Sequence, residues 1–232
     1  AFDKSSYKDE LQKIQKQRSK PRLDDKCLTS WNALMLKGYI DAYKTFNEDE
    51  FLEIAIKNAK FLYTKQLQNE GNLNHSYKKG KSTINGYLED YATVIEAYIA
   101  LYEVTFNELW LNTAKQLTDY TFDHFFDVEK SMFYFTSNLD DPLITRKMEI
   151  EDNVISASNS IMAQNLFKLS HFYANKYYYN VSKQMLKNVS ERSIENGLWY
   201  ANWLHLLCNF CTDYYEIAVV GEKANNYKLE LN

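Results

Sequence analysis

With 232 residues, 45% of them hydrophobic, the chain is long enough to bury one large core, and no flexible linker divides it into two domains. A formal net charge of −4 and a pI near 5.7 provide no basic stripe, which argues against nucleic acid as a partner. No apolar run approaches the roughly 18 residues that a membrane helix needs, and no signal-peptide pattern opens the chain, so a cytoplasmic protein with no membrane partner is expected.

Residues 1 to 20 set Tyr7, Leu11 and Ile14 among charged and polar neighbours, the spacing of an amphipathic helix that Pro21 ends. Arg22 to Cys27 reads as an extended link carrying Asp24, Asp25 and Lys26. Thr29 or Ser30 is placed to cap a helix from Trp31 to about Phe46. Its faces are apolar except at Lys37, Asp41 and Lys44, the pattern of an inner element. Asn47, followed by Glu48, Asp49 and Glu50, reads as the cap of a second helix over about 50 to 68. Lys57, Lys60 and Lys65 put that helix on the outside, and Gly71 to Gly86 forms an irregular arm with His75, Tyr77 and three lysines.

The same arrangement then repeats. Gly86, Tyr87 and Leu88 lead into an apolar helix ending near Thr105, and Asn107 caps its partner. A second arm over Asp127 to Asn153 holds Met132 to Thr136 as a short strand, a turn at Asp140-Asp141-Pro142, and Leu143 to Arg146 as a return strand. A third hairpin starts at Ser156 or Ser158, reaches Phe172, restarts after Asn175 and finishes near Arg192. A helix over about Trp199 to Cys211 and a strand over Glu216 to Gly221 complete the chain. The aromatic residues closing the inner helices, Tyr43, Tyr102 and Phe172, are 59 and 70 residues apart. That exceeds the roughly 34 to 47 residues of common helical solenoids and fits a hairpin plus a long arm.

Three cysteines make no disulfide framework. Cys208 and Cys211, with His205 three residues earlier, sit among Leu204, Leu206, Leu207 and Phe210, so they read as buried core thiols in preference to a metal or redox site. No Ser-His-Asp arrangement, phosphate-binding loop or dinucleotide glycine motif is present, and no cofactor or metal is expected.

If the three apolar helices run parallel, their starts gather Trp31, Asn32, Glu89, Asp90, Ser158, Asn159 and Ser160 at one rim, with the arms bringing Asp24, Asp25, His75, Tyr77, Arg146 and Lys147 over it. Helix N-termini there suit hydroxyl-rich or anionic ligands. Glu89 and Asp90 are adjacent, so about 100° apart on a helix, and cannot both address one atom. Two carboxylates acting on a glycosidic bond must face each other at roughly 5 to 10 Å, which points to Asp24 or Asp25 across the mouth from Glu89 or Asp90. Capping and ion pairing of their own helix is the alternative for Glu89 and Asp90.

The segment from Leu23 to Met35, reading LDDKCLTSWNALM, resembles a signature of the thioredoxin-domain-containing proteins related to spermatogenesis-associated protein 20. Gly86 to Ala92, Phe133 to Ser137 and Glu216 to Gly221 match the same family in order, while Ser156 to Ser160 and Ser131-Met132 depart from its usual glycine-containing stretches. The resemblance implies an all-α fold, the helical hairpins of an incomplete (α/α)6 toroid like that of six-hairpin glycosidases and sugar epimerases, with short β-hairpin arms and a C-terminal strand. It covers the later part of the toroid as a single domain over residues 1–232, so a thioredoxin-like domain and earlier toroid helices are expected partners outside it. An incomplete ring exposes apolar helix faces, which predicts self-association as a homo-oligomer, or instability, unless a partner covers them. The function implied is sugar handling at the rim, by hydrolysis or epimerisation. Asp24, Asp25, Glu89 and Asp90 are then the catalytic candidates, and Trp31, Asn32, Tyr87, Arg146, Asn159 and Ser160 bind the sugar. The rival is a non-catalytic module serving the thioredoxin-like domain.

Overall fold

The computed structural model describes residues 4–21, 23–69, 71–141, 144–215 and 220–221. Helix α1 (Lys4–Gln17) and the short β1 (Cys27–Leu28) precede a first helix pair, α2 (Thr29–Phe46) and α3 (Asp49–Phe61). A hairpin of β2 (Asn74–Lys78) and β3 (Lys81–Asn85) leads to the second pair, α4 (Leu88–Thr105) and α5 (Glu108–His124). The two-residue strands β4 (Phe126–Asp127) and β5 (Met132–Phe133) follow, then the third pair, α6 (Ser158–Phe172) and α7 (Lys176–Glu195), and finally α8 (Ala201–Cys211).

Helices α2, α4 and α6 pack side by side with α4 in the middle, each carrying its partner on the outside, and α8 packs against α6 and α7. Because each inner helix is followed by an antiparallel outer one, the inner three run parallel and begin at one rim. This is the arc of an α/α toroid. Thirteen of the eighteen residues of α4 are buried, which makes it the centre of the core. Glu89, Glu96 and Glu103 recur along it every seven residues, two turns apart. At the end away from the rim, Glu103 accepts from Lys44 of α2 at 3.0 Å and Lys168 of α6 at 3.3 Å. Burial pushes the Glu103 carboxyl up, but the two ammonium groups outweigh it and leave it below the usual range.

The helix connections correct two expected caps. Helix α2 starts at Thr29, and neither Thr29 nor Ser30 caps it through a side chain. Asn47 does not cap α3 either; it closes α2 in the left-handed region with φ 54°, and its N–H bonds to the Tyr43 carbonyl at 2.8 Å. In so short a connection one residue must reverse the backbone and the next can cap, and here Asn, which tolerates the left-handed conformation, takes the first place. In the other two connections Phe106 and Ala174 make the reversal, with φ of 54° and 48°, and the next residues cap as expected. Asn107 Oδ1 accepts from the Leu109 N–H, and Asn175 Oδ1 from those of Tyr177 and Tyr178.

Instead of one α-helix to residue 68, α3 passes into a π-helical turn at Leu62–Gln66. That turn buries Gln66, whose Nε2 donates to Thr29 Oγ1 at 2.5 Å, and Thr29 Oγ1 donates to the Asn74 carbonyl at 2.5 Å. The first arm, read locally as irregular, is one of the short β-hairpins of the expected fold class. Lys79 and Gly80, with φ of 48° and 82°, make the two-residue turn that suits antiparallel strands. β1 pairs antiparallel with β2, so the sheet order is β1-β2-β3. Gly86 ends the arm where a Cβ would lie 2.8 Å from the Leu73 carbonyl oxygen, an approach that excludes other residues.

The second arm has less strand than expected: among the described residues only Met132 and Phe133 of the expected strands pair, with Asp127 and Phe126. Beyond them Phe135 N–H bonds to the Lys147 carbonyl at 2.7 Å. Leu143, in the expected return strand, and most of the expected strand over Glu216 to Gly221 lie outside the described residues. The cysteine expectation is overturned. Cys208 and Cys211 are free and exposed, because α8 turns Trp203 and Leu206 into the core and leaves the Cys face to solvent. Among the described residues no helix is long and apolar enough to cross a membrane.

Candidate functional site

The rim is organised by one carboxylate. Asp90, in the first turn of α4, is 0% exposed. Its Oδ1 accepts from the Ser30 N–H of α2 at 2.9 Å, and its Oδ2 from the Tyr87 N–H at 2.9 Å. Oδ2 also lies 2.9 Å from Nδ1 of His75 in β2. A single side chain thus caps two inner helices and holds the arm that crosses them. Aspartate suits this because it accepts several N–H groups at once while its charge complements two helix N-termini.

His75 is half-buried, and with Nδ1 engaged by Asp90 its Nε2 is the nitrogen left for other partners. The bond to Asp90 holds its pKa above the ordinary value against the opposing effect of burial, with the charges of Asp90 and Glu89 adding and Lys26 subtracting. Glu89 sits beside it. The ligand atoms of His75, Glu89 and Asp90 all lie within 4.8 Å of one another. Burial first, then the charges of Asp90 and Glu149, raise the Glu89 carboxyl, and His75 opposes the rise. Among the described residues the Glu89 carboxylate is given no hydrogen-bond donor, whereas Asp24, Asp25, Asp90, Glu149 and Asp152 each have one. With the Asp90 oxygens taken by N–H groups, His75 and Glu89 are two free ligands, short of the three protein ligands of a catalytic zinc site.

The remaining expected site residues divide by what already holds them. Asp24 pairs with Lys26 at 3.3 Å, and Asp25 is bound to Lys78 of β2, which lowers the Asp25 carboxyl. Asn159 is buried: its Oδ1 accepts from the Phe133 N–H at 2.8 Å, and its Nδ2 donates to the carbonyls of Phe133 and Glu149 at 2.9 and 2.8 Å. Ser160 is also buried, donating to Asp152 at 2.8 Å and accepting from Asn202 at 2.9 Å. Arg146 lies over the Tyr134 ring at 4.1 Å and donates to the carbonyls of Thr136 and His124, which ties the second arm down. Asn32 Nδ2 bonds to the Leu28 carbonyl within its own helix start. Trp31 keeps an available face, whereas the Tyr87 ring is engaged by its neighbours. Trp31 is 67% exposed, and Tyr87 stacks on Phe135 at 5.1 Å beside His75 at 4.8 Å.

Sequence reasoning placed His75 over the rim without a role, and it passed over Glu149 and Asp152. Glu149 Oε2 accepts from the Ser158 N–H at the start of α6 at 3.1 Å, and Asp152 takes the Ala157 and Asn202 N–H groups at 2.9 Å each. The signal available was their acidity shortly before a helix start.

The scan against protein-family models finds no match. The structure is similar to a GH76 α-mannanase from Bacteroides thetaiotaomicron, with TM-score 0.65 and 16% identity over 90% of this chain and 63% of that one. It is also similar to a cellobiose 2-epimerase from Bacillus thermoamylovorans, with TM-score 0.60 and 16% identity over 73% of this chain and 46% of that one. A D-mannose isomerase aligns with TM-score 0.57 and 16% identity over 72% of this chain and 41% of that one. At these identities the shared property is the fold, an (α/α)6 toroid of which this chain forms an arc. In sequence, human spermatogenesis-associated protein 20 is 32% identical over 195 residues, 79% of this chain and 25% of that protein, and an uncharacterised Caenorhabditis elegans protein is 28% identical over 184 residues. The chain is homologous to spermatogenesis-associated protein 20 and spans about a quarter of its length.

Proposed function

We propose that the rim is an acid/base site acting on a saccharide, with Glu89 as the proton-transferring carboxyl, His75 as its partner and Asp90 as the residue that positions His75. The observation that carries this reading is the undonated, elevated carboxyl of Glu89 beside a histidine held by a buried aspartate. Carboxyls raised toward neutrality suit proton transfer near physiological pH. Trp31 supplies an exposed ring face for a sugar.

Two proton carriers side by side favour isomerisation or epimerisation: one group takes the proton from the carbon next to an open-chain carbonyl and the other returns it. Glu149, close enough to raise Glu89, favours hydrolysis as the second reading, with two carboxylates sharing the mouth. The likeness to sugar epimerases, an isomerase and a mannanase supports saccharides as the substrate class, as fold analogy. In the whole protein, the thioredoxin-like domain implied by the sequence resemblance shares the polypeptide with this arc.

The test incubates the protein with mannose or cellobiose in heavy water and follows deuterium entry at the carbon next to the carbonyl by NMR, with reducing-sugar release measured in parallel. Deuterium entry that Glu89→Gln and His75→Asn each reduce at least about a hundredfold supports the proton-transfer reading. New reducing ends without exchange support hydrolysis. Neither reaction, and no sugar binding, leaves the non-catalytic module.

A further inference from the structure

Parallel helices that start at one rim would ordinarily make that rim an anion site, because their first N–H groups are unpaired and their dipoles point positive ends outward. Here those positions are already filled from within. Asp90 takes the Ser30 and Tyr87 N–H groups at the starts of α2 and α4. Glu149 takes Ser158 and Asp152 takes Ala157 at the start of α6, and Asp152 takes Asn202 at the start of α8. Three carboxylates therefore occupy the N-termini of four helices.

The cations nearby are committed as well. His75, raised by Asp90, spends its positive charge on that carboxylate; Lys26 pairs with Asp24, Lys78 with Asp25, and Arg146 is spent on two carbonyls and the Tyr134 ring. Lys147 stands exposed, where an ammonium group pairs only weakly. Among the described residues the mouth still offers the Glu89 carboxyl, the second nitrogen of His75 and the exposed face of Trp31. These suit hydroxyl groups and the apolar face of a sugar ring. They do not suit phosphate or carboxylate.

We infer that the rim selects uncharged saccharides and rejects phosphorylated and uronic-acid sugars, because its helix N-termini are occupied by the protein's own carboxylates. This rests on the reading of the rim as a saccharide site. The inference reverses the expectation from the bare helix starts, in which anionic ligands were as welcome as neutral ones.

The experiment is calorimetric titration of the whole chain, near neutral pH and at low ionic strength, with mannose and cellobiose against mannose 6-phosphate and glucuronate. Neutral sugars are expected to bind at least about tenfold more tightly than the anionic ones. Glu149→Gln, whose amide oxygen still accepts from Ser158, should narrow that gap several-fold, and added salt should narrow it in the unmutated protein by screening. Anionic sugars that bind as tightly as neutral ones, or more tightly, overturn the exclusion and leave the saccharide site standing. Failure of every sugar to bind removes the site itself, and the inference falls with it.

Discussion

Replacing Asp90 by Asn tests the organisation of the rim most directly. The change keeps shape and leaves one oxygen, enough for either the Ser30 or the Tyr87 N–H but not both, and it turns an NH2 group toward the donor that is left. Bonds to a charged acceptor contribute about 1.5 to 3 kcal/mol each, and an unsatisfied buried donor costs about 1 to 3 kcal/mol, so a loss of about 3 kcal/mol is expected. The loss should depend on pH in a set direction. His75 is raised in the folded protein chiefly by Asp90, so its contribution is fully present below the ordinary histidine value and fades as pH rises through the folded one. The Asp90 charge also raises Glu89, which acts in the same sense. Urea denaturation of the parent and Asp90→Asn proteins at about pH 6 and about pH 8.5 should therefore show the larger difference at the lower pH. A destabilisation below about 1 kcal/mol, or one that is equal at both pH values, would refute the view that this carboxylate joins the two helices and the hairpin.

Asn159→Ala removes three buried hydrogen bonds and strands the Phe133 N–H, so it should cost about 3 kcal/mol in urea denaturation. Ala174→Gly relieves a left-handed alanine at φ 48° and should raise stability by about 1 kcal/mol, seen as an upward shift in Tm. All three cysteines should react with a thiol reagent in the native state without denaturant, and protection of Cys208 or Cys211 would contradict the outward face of α8.

The hairpin architecture was legible because inner and outer helices differ in composition along their whole lengths, as α4 and α5 do, and such periodicity survives without tertiary knowledge. Asn107 and Asn175 were readable as caps for the same local reason, whereas Asn47 failed because the choice between closing one helix and capping the next depends on the length of the connection. Short β-hairpin arms were expected, but the strand bounds of the first arm were not legible because its strands carry alternating polar residues and the Lys79-Gly80 turn is the main local mark. In the site, the starts of the inner helices were correctly gathered. What could not be read was that Asp90 would serve Ser30, sixty residues earlier, because its partner is a backbone N–H that carries no side-chain signal. Glu149 and Asp152 carried a weak signal, acidity shortly before a helix start, that did not name the N–H groups they would take. The thiols of α8 misled because, of their apolar neighbours, Leu206 is buried while Leu207 stays exposed on the same side as the cysteines.

The π-helical turn at Leu62–Gln66 has a consequence for how this region tolerates changes in length. Such a turn holds one residue more than an α-helical turn, so deleting a single residue within it would restore a regular helix at little local cost. The same deletion in the regular α-helical turns of Asp49–Phe61, where no extra residue absorbs it, would swing every later residue about 100° around the axis and carry Gln66 away from Thr29. Thr29 would then lose the partner opposite its bond to Asn74, the residue just before His75. A length change before the π turn would thus loosen the arm at the rim, so homologous sequences should keep the length of α3 constant and place any one-residue difference within Leu62–Gln66.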